Sequence, residues 1–324
     1  MGEYPLKVGN DEIRRMRGAV PARHTTISMG SEPEDFILDL RFRKCVFFLV
    51  RKKRKAGGKK PSVHCGTGFA VGVGFTVHEM AEADWTGGID YAVTAAHVVK
   101  NTPPDEDLYL RVNTVNGPPC DVPVPVSTWR YHPVTDVAAC PINWPEKEPL
   151  DLMTIPVTKL PQGPEEIYAN QVHEGEEVII CGLLSGLPGS ARIQPIVRTG
   201  RIALMPYEKI RVDVDRNTAN DVDAYLLEMT SWPGLSGSPI IVYPGRDPRN
   251  PRSVDFLMPY LLLGLVHGGL EIDKEVKFSR EKTTIKLGSG IAVAIPGEAI
   301  REVLMDNNDL KVHRMEMAEK NKEE

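Results

Sequence analysis

Short apolar runs rich in β-branched residues recur along the chain, each closed by glycine, proline or a polar cluster. Residues 45–50 (CVFFLV), 66–73 (GTGFAVGV), 91–99 (YAVTAAHVV), 178–181 (VIIC), 195–203 (PIVRTGRIA), 261–269 (LLLGLVHGG) and 290–296 (GIAVAIP) read as strands. Runs of this length between turn signals argue for strands rather than helices. Residues 298–305 carry the spacing of an amphipathic helix, residues 11–17 are long enough for one or two helical turns, and the charged stretch from 306 to 324 reads as a polar tail. Residues 145–164 are rich in proline and charge and mark a crossover. The pattern predicts an all-β protein, and two six-stranded antiparallel β-barrels followed by a C-terminal helix fit its 324 residues. The expected organisation is an N-terminal extension (1–33), a first barrel (34–145), a crossover linker (146–165), a second barrel (166–297) and a terminal helix with its tail (298–324).

Composition narrows the function classes. A net charge of −5 gives no reason to expect a nucleic-acid partner. No apolar run approaches membrane-spanning length, and no basic stretch followed by an apolar one opens the chain. Cys45, Cys65, Cys120, Cys140 and Cys181 are an odd number, widely spaced and without a C-x-x-C pair, which favours buried free thiols over a metal site or disulfide framework. Together these features lead to an expectation of a cytoplasmic protein without metal or cofactor. The basic run at 51–60 reads as a solvated loop between two strands, against the alternatives of a nuclear signal or phosphate patch. The glycine-rich segment 66–73 lacks the Gly-Lys-Ser/Thr of a phosphate loop, and its apolar residues alternate as in a strand.

The stretch with the most chemistry is residues 230–239 (TSWPGLSGSP), which runs into an apolar strand. A serine hydroxyl is a weak nucleophile at neutral pH and needs a base and donors for the developing oxyanion. Gly234 frees the backbone so that the Gly234 and Ser236 N–H groups can point to one spot, and Gly237 is expected to leave the far side of Ser236 clear for a substrate chain. By itself the pattern also fits a Gly/Ser/Pro turn before a strand. Upstream, His97 stands where a strand ends in small residues, and Asp136 heads the run Val137-Ala138-Ala139. Asp136 reads either as the group that orients His97 or as a helix cap or turn aspartate; Asp121, among prolines, is the weaker candidate.

With T-A-A-H at 94–97, D-V-A at 136–138 and G-L-S-G-S-P at 234–239, residues 40 to 305 resemble the chymotrypsin-like (trypsin-fold) serine peptidases, in motif style the bacterial trypsin-like and HtrA-type protease domains without a PDZ domain. The order His, Asp, Ser supports that resemblance, since other folds with the same three residues use other orders. The resemblance implies peptide-bond hydrolysis of a polypeptide substrate by Ser236, His97 and Asp136, with an oxyanion hole from the Gly234 and Ser236 N–H groups. It places Thr230 near the base of the specificity pocket, Ser231 beside it, and His267, Gly268 and Gly269 along its wall strand. No acidic residue stands among these, so a preference for Arg or Lys is not supported. His267 invites comparison with glutamyl endopeptidases, one residue out of step with their histidine, which in a strand is the opposite face. Leu235 stands where digestive relatives carry an aspartate that pairs with a new N-terminus, so the site is expected to be preformed or ordered by substrate, oligomer or an activating protein partner. The rival readings are a trypsin-fold binding or scaffold module with a closed or partner-activated site and, behind it, an esterase using the same three residues.

Overall fold

The computed structural model describes residues 40–53, 62–75, 88–146, 148–244, 260–278 and 281–323. The N-terminal extension expected at 1–33 and most of the basic run at 51–60 lie outside the described residues. Residues 37 to 324 form one compact unit.

Its first half contains β1 (Val46–Lys53), β2 (Ser62–Gly74), β3 (Gly88–Thr94), the one-turn helix α1 (Ala96–Lys100), β4 (Glu106–Val112), β5 (Cys120–Pro123), β6 (Arg130–Tyr131), β7 (Ala138–Pro141) and β8 (Ile155–Pro156). The short helix α2 (Pro164–Ala169) leads to β9 (Glu177–Gly182), β10 (Ile196–Leu204), β11 (Ile210–Asp213), β12 (Ala219–Val222), β13 (Tyr225–Glu228), β14 (Pro239–Val242), β15 (Leu261–Phe278) and β16 (Glu281–Pro296). Helices α3 (Gly297–Asp306) and α4 (Asn308–Glu323) close the chain.

The protein is all-β with C-terminal helices, as its periodicity predicts. The order β10-β13-β16-β15-β14-β9 closes into a six-stranded antiparallel barrel. The first half differs in detail from a six-stranded barrel: it is an eight-stranded sheet in the order β5-β4-β1-β2-β3-β7-β6, with β8 added in parallel to β2. Two-residue strands such as β6 and β8 are too short to leave a periodic trace in the sequence. The polar tail is also helical, as α4, because Leu310 and Arg314 are buried and anchor it; Arg314 donates to the Leu304 carbonyl and the Tyr91 hydroxyl.

Burial explains which strands carry a continuous apolar run. β4 faces the core on one side only and alternates strictly, with Leu108, Leu110 and Val112 inward. The first five residues of β1 are all buried because both its faces are covered. Phe47 and Leu49 enter the core of the first half, while Val46 and Phe48 pack on Cys181, Leu183 and Ile193 of the second. That shared cluster seats the two halves on one another at the edge where the site forms. All five cysteines are free thiols; burial pushes Cys65 and Cys181 up to about 12 and raises Cys140 further, which makes these three poor nucleophiles. Among the described residues no helix is long and apolar enough to cross a membrane.

Candidate active site

His97 sits in α1, directly after β3. The preceding residues Ala95 and Ala96 are fully buried, and Ala95 cannot cap the helix with its side chain. The cap comes from Asp136 instead. Its Oδ1 accepts the His97 backbone N–H (2.8 Å), and its carbonyl accepts the Ala96 N–H (3.2 Å). Its Oδ2 meets His97 Nδ1 at 2.7 Å. One carboxylate thus caps the start of α1 and contacts the imidazole at Nδ1. Asp121, the weaker candidate, is spent elsewhere, bridged by Arg111 at 2.7 and 2.8 Å and paired with Lys52.

Asp136 is completely buried. Burial alone would raise its pKa, but the His97 charge, a hydrogen bond from His267 and one from His97 together hold it below the usual carboxylate range. Burial would likewise push His97 down. The Asp136 charge and hydrogen bond, with a smaller contribution from Asp213, overcome this and hold the imidazole above its ordinary value.

Ser236 is presented by two consecutive tight turns. Leu235 N–H bonds to the Trp232 carbonyl (3.1 Å), with Pro233 and Gly234 at the centre, and Ser238 N–H bonds to the Leu235 carbonyl (2.9 Å), with Ser236 and Gly237 at the centre. The third residue of each turn has positive φ, +103° at Gly234 and +83° at Gly237, as a type II turn requires, and Pro233 pre-sets the first. Among the described residues, the Gly234 and Ser236 N–H groups have no acceptor. The expectation that Gly237 clears space for substrate is corrected. A Cβ there would strike the Thr67 carbonyl, Thr94 Oγ1 and the Ala95 nitrogen, so Gly237 instead lets the serine loop press against the first half. Thr67 stitches the same seam. Its N–H bonds to the Ser236 carbonyl (2.9 Å), and its hydroxyl donates to the Gly234 carbonyl (2.7 Å) while accepting the Leu183 N–H (2.8 Å).

Leu235 is fully buried in the core of the second barrel, so packing rather than an ion pair pins the loop. Ser238 is also fully buried, its hydroxyl out of reach of a ligand.

His97, Ser236, His267 and Gly268 line one open cleft of about 500 Å³. Its opposite wall is the β11–β12 hairpin with Asp213, Asp215 and Ala219. Sequence reading missed that wall, and nothing in the short polar stretch 213–219 announces it. The Ser236 hydroxyl donates to the His267 carbonyl (2.9 Å), and no Ser236–His97 hydrogen bond is made in this conformation. Of the residues placed by resemblance around the specificity pocket, Gly268 lies in the cleft, and Ser231 faces Gly269, whose added Cβ would sit 3.3 Å from that of Ser231. Thr230 is exposed, and its carbonyl accepts a hydrogen bond from Arg198.

His267 occupies the surprising place. Its Nδ1 lies 2.6 Å from Asp136 Oδ2, the same oxygen that holds His97. The two rings meet edge to face at 5.3 Å between centroids. The cause is a β-bulge: Val266 pairs with Ala294 and Gly268 with Val293, which leaves His267 as the extra residue of β15. A bulge re-aims a side chain, so strand alternation does not fix which way His267 points. The donors of His97, Asp136 and His267 fall within 4.8 Å of one another, a set that could in principle ligate a transition metal. Donors around a tetrahedral zinc stand about 3.3 Å apart. The 2.7 and 2.6 Å contacts here are of hydrogen-bond length.

No family model and no curated protein sequence matches the chain. Among solved structures it is similar to the Rv3671c protease of M. tuberculosis in its active form, at 15% identity and a TM-score of 0.42 over 89% of this chain and 92% of that one. The inactive form of that protease is similar at 15% identity and a TM-score of 0.39, over 82% and 90%.

Proposed function

We propose that the protein is a serine endopeptidase. The observation that carries the reading is the His97–Asp136 pair, an imidazole held through Nδ1 by a fully buried carboxylate, opening on the same cleft as a serine mounted between two glycine turns. In the reaction, rotation about the Ser236 Cα–Cβ bond moves the hydroxyl from the His267 carbonyl to His97 Nε2. The oxygen attacks the peptide carbonyl as His97 takes the proton, and Asp136 stabilises the imidazolium. The Gly234 and Ser236 N–H groups hold the oxyanion. His97 returns its proton to the leaving amine; water then repeats the sequence on the acyl-enzyme, releasing the carboxylic acid and the free serine. The chain would need no metal or cofactor for these steps. A polypeptide substrate and a cytoplasmic setting complete the proposal.

The second reading is a resting or closed module that needs a protein partner or substrate to open, and it is favoured by the Ser236 hydroxyl being spent on the His267 carbonyl. A fluorophosphonate probe separates the two. The expected result is labelling of the wild type and none of Ser236→Ala. Labelling that persists in the alanine variant overturns Ser236 as nucleophile, and an unlabelled wild type favours the closed module.

The raised His97 pKa gives an expected pH profile. The base must be neutral to act, so kcat/KM is expected to rise with pH through a limb placed above the ordinary histidine value. Because Asp136 is depressed, it stays ionised across that limb. A profile whose acid limb falls in the carboxylate range would reject His97 as the base.

A further inference from the structure

We infer that His267 is a positioning residue of the reaction, a second imidazole that shares the orienting carboxylate and sets the basicity of His97; this rests on the peptidase reading above. The geometry is specific. Asp136 has no solvent exposure, so every lone pair it does not place on a protein donor is unsatisfied. Oδ1 is taken by the His97 backbone N–H, and Oδ2 receives two ring N–H groups, His97 at 2.7 Å and His267 at 2.6 Å. Two donors on one oxygen divide its negative charge. The bond His267 makes to Asp136 therefore weakens the hold of that carboxylate on the proton gained by His97 during the reaction.

The residue also links the nucleophile to the pair. Its backbone carbonyl accepts the Ser236 hydroxyl while its ring holds Asp136, so one bulged residue contacts two members of the site. Without the bulge between Val266 and Gly268 the ring would leave Asp136, which gives the irregularity of β15 a chemical purpose. Among the described residues, the other charged side chains lining the cleft with His97 are Asp213, Asp215 and Arg216 on the β11–β12 hairpin, with Lys100 of α1 lying 3.6 Å from Asp215. None of these is altered in the variants below.

Two readouts test the inference, one of which needs no turnover. In the Ser236→Ala background, the His97 ring is titrated by NMR with His267 intact, as His267→Ala and as His267→Asn. Removing the donor returns full carboxylate charge to His97, so its pKa is expected to rise by about 0.5 to 1 unit in the alanine variant. Asparagine places an amide N–H about where Nδ1 stands and is expected to restore the original titration. With Ser236 present, His267→Ala is expected to lower kcat about tenfold with KM little changed, and to move the acid limb of kcat/KM upward by the same shift. A merely structural histidine would lower the unfolding midpoint and leave the His97 titration where it was; that result, or an asparagine variant that behaves as alanine does, overturns the inference. A shifted titration in a protein that hydrolyses no peptide would instead uphold the shared carboxylate and reject the peptidase reading alone.

Discussion

Asp136→Asn is expected to lower kcat about ten-thousandfold while leaving KM within a few-fold. The reason lies in which atoms Asp136 offers. Both Oδ2 contacts are made by ring Nδ1 atoms, so the carboxylate enforces the tautomer with the proton on Nδ1 and a free lone pair on Nε2. Asparagine can keep an oxygen on the His97 backbone N–H, at the helix start, and then turns its amide N–H toward the ring. His97 must now accept at Nδ1 and carry its proton on Nε2, the face that should receive the Ser236 proton. The base is lost although nothing moves far. Measuring kcat and KM on one peptide for both proteins checks this, and a fall of tenfold or less would show that Asp136 does not set the tautomer.

The second large effect is on stability. Gly237→Ala is expected to cost about 3 kcal/mol or more, read as a lower denaturation midpoint, and to abolish probe labelling with it. Two separate penalties add. The backbone at +83° disfavours any Cβ, and this Cβ would enter the space of the Thr67 carbonyl, Thr94 Oγ1 and the Ala95 nitrogen. Those atoms belong to β2, the end of β3 and the residue that joins β3 to α1, so relief requires the serine loop to lift away from the first half. Gly175→Ala is the matched control. Its φ is +91° but nothing lies within 4 Å of the added carbon, so only the conformational penalty of about 1 kcal/mol is expected. Equal losses for the two variants would show that the contact across the seam carries no weight.

Both predictions turn on the seam between the halves, where most of the information invisible to periodicity resides. Thr67 illustrates the point. In sequence it is the small polar residue of Gly66-Thr67-Gly68-Phe69, readable only as part of a glycine-rich strand. In the fold its hydrogen bonds tie Ser236, Gly234 and Leu183 together, over 100 residues along the chain. Leu235 lies at the opposite extreme. Its apolar character already argued against an ion-paired serine loop, and its burial in the second barrel supplies the packing that takes the place of such a pair.

Sequence by itself determined the all-β class, the closing helix α3, the strand that ends just before His97 and the backbone turn at Gly234. Each of these is written locally, as short β-branched runs, as helical spacing, as a glycine where φ is positive, or as small residues before a turn. Tertiary structure alone decided the two-residue strands β6 and β8, the hairpin wall of the cleft, the helical tail held by Leu310 and Arg314, and the turn of His267 onto Asp136. These depend on register and on partners far away in the chain. A single extra residue in β15 reverses the direction of a side chain without changing one letter of the pattern around it.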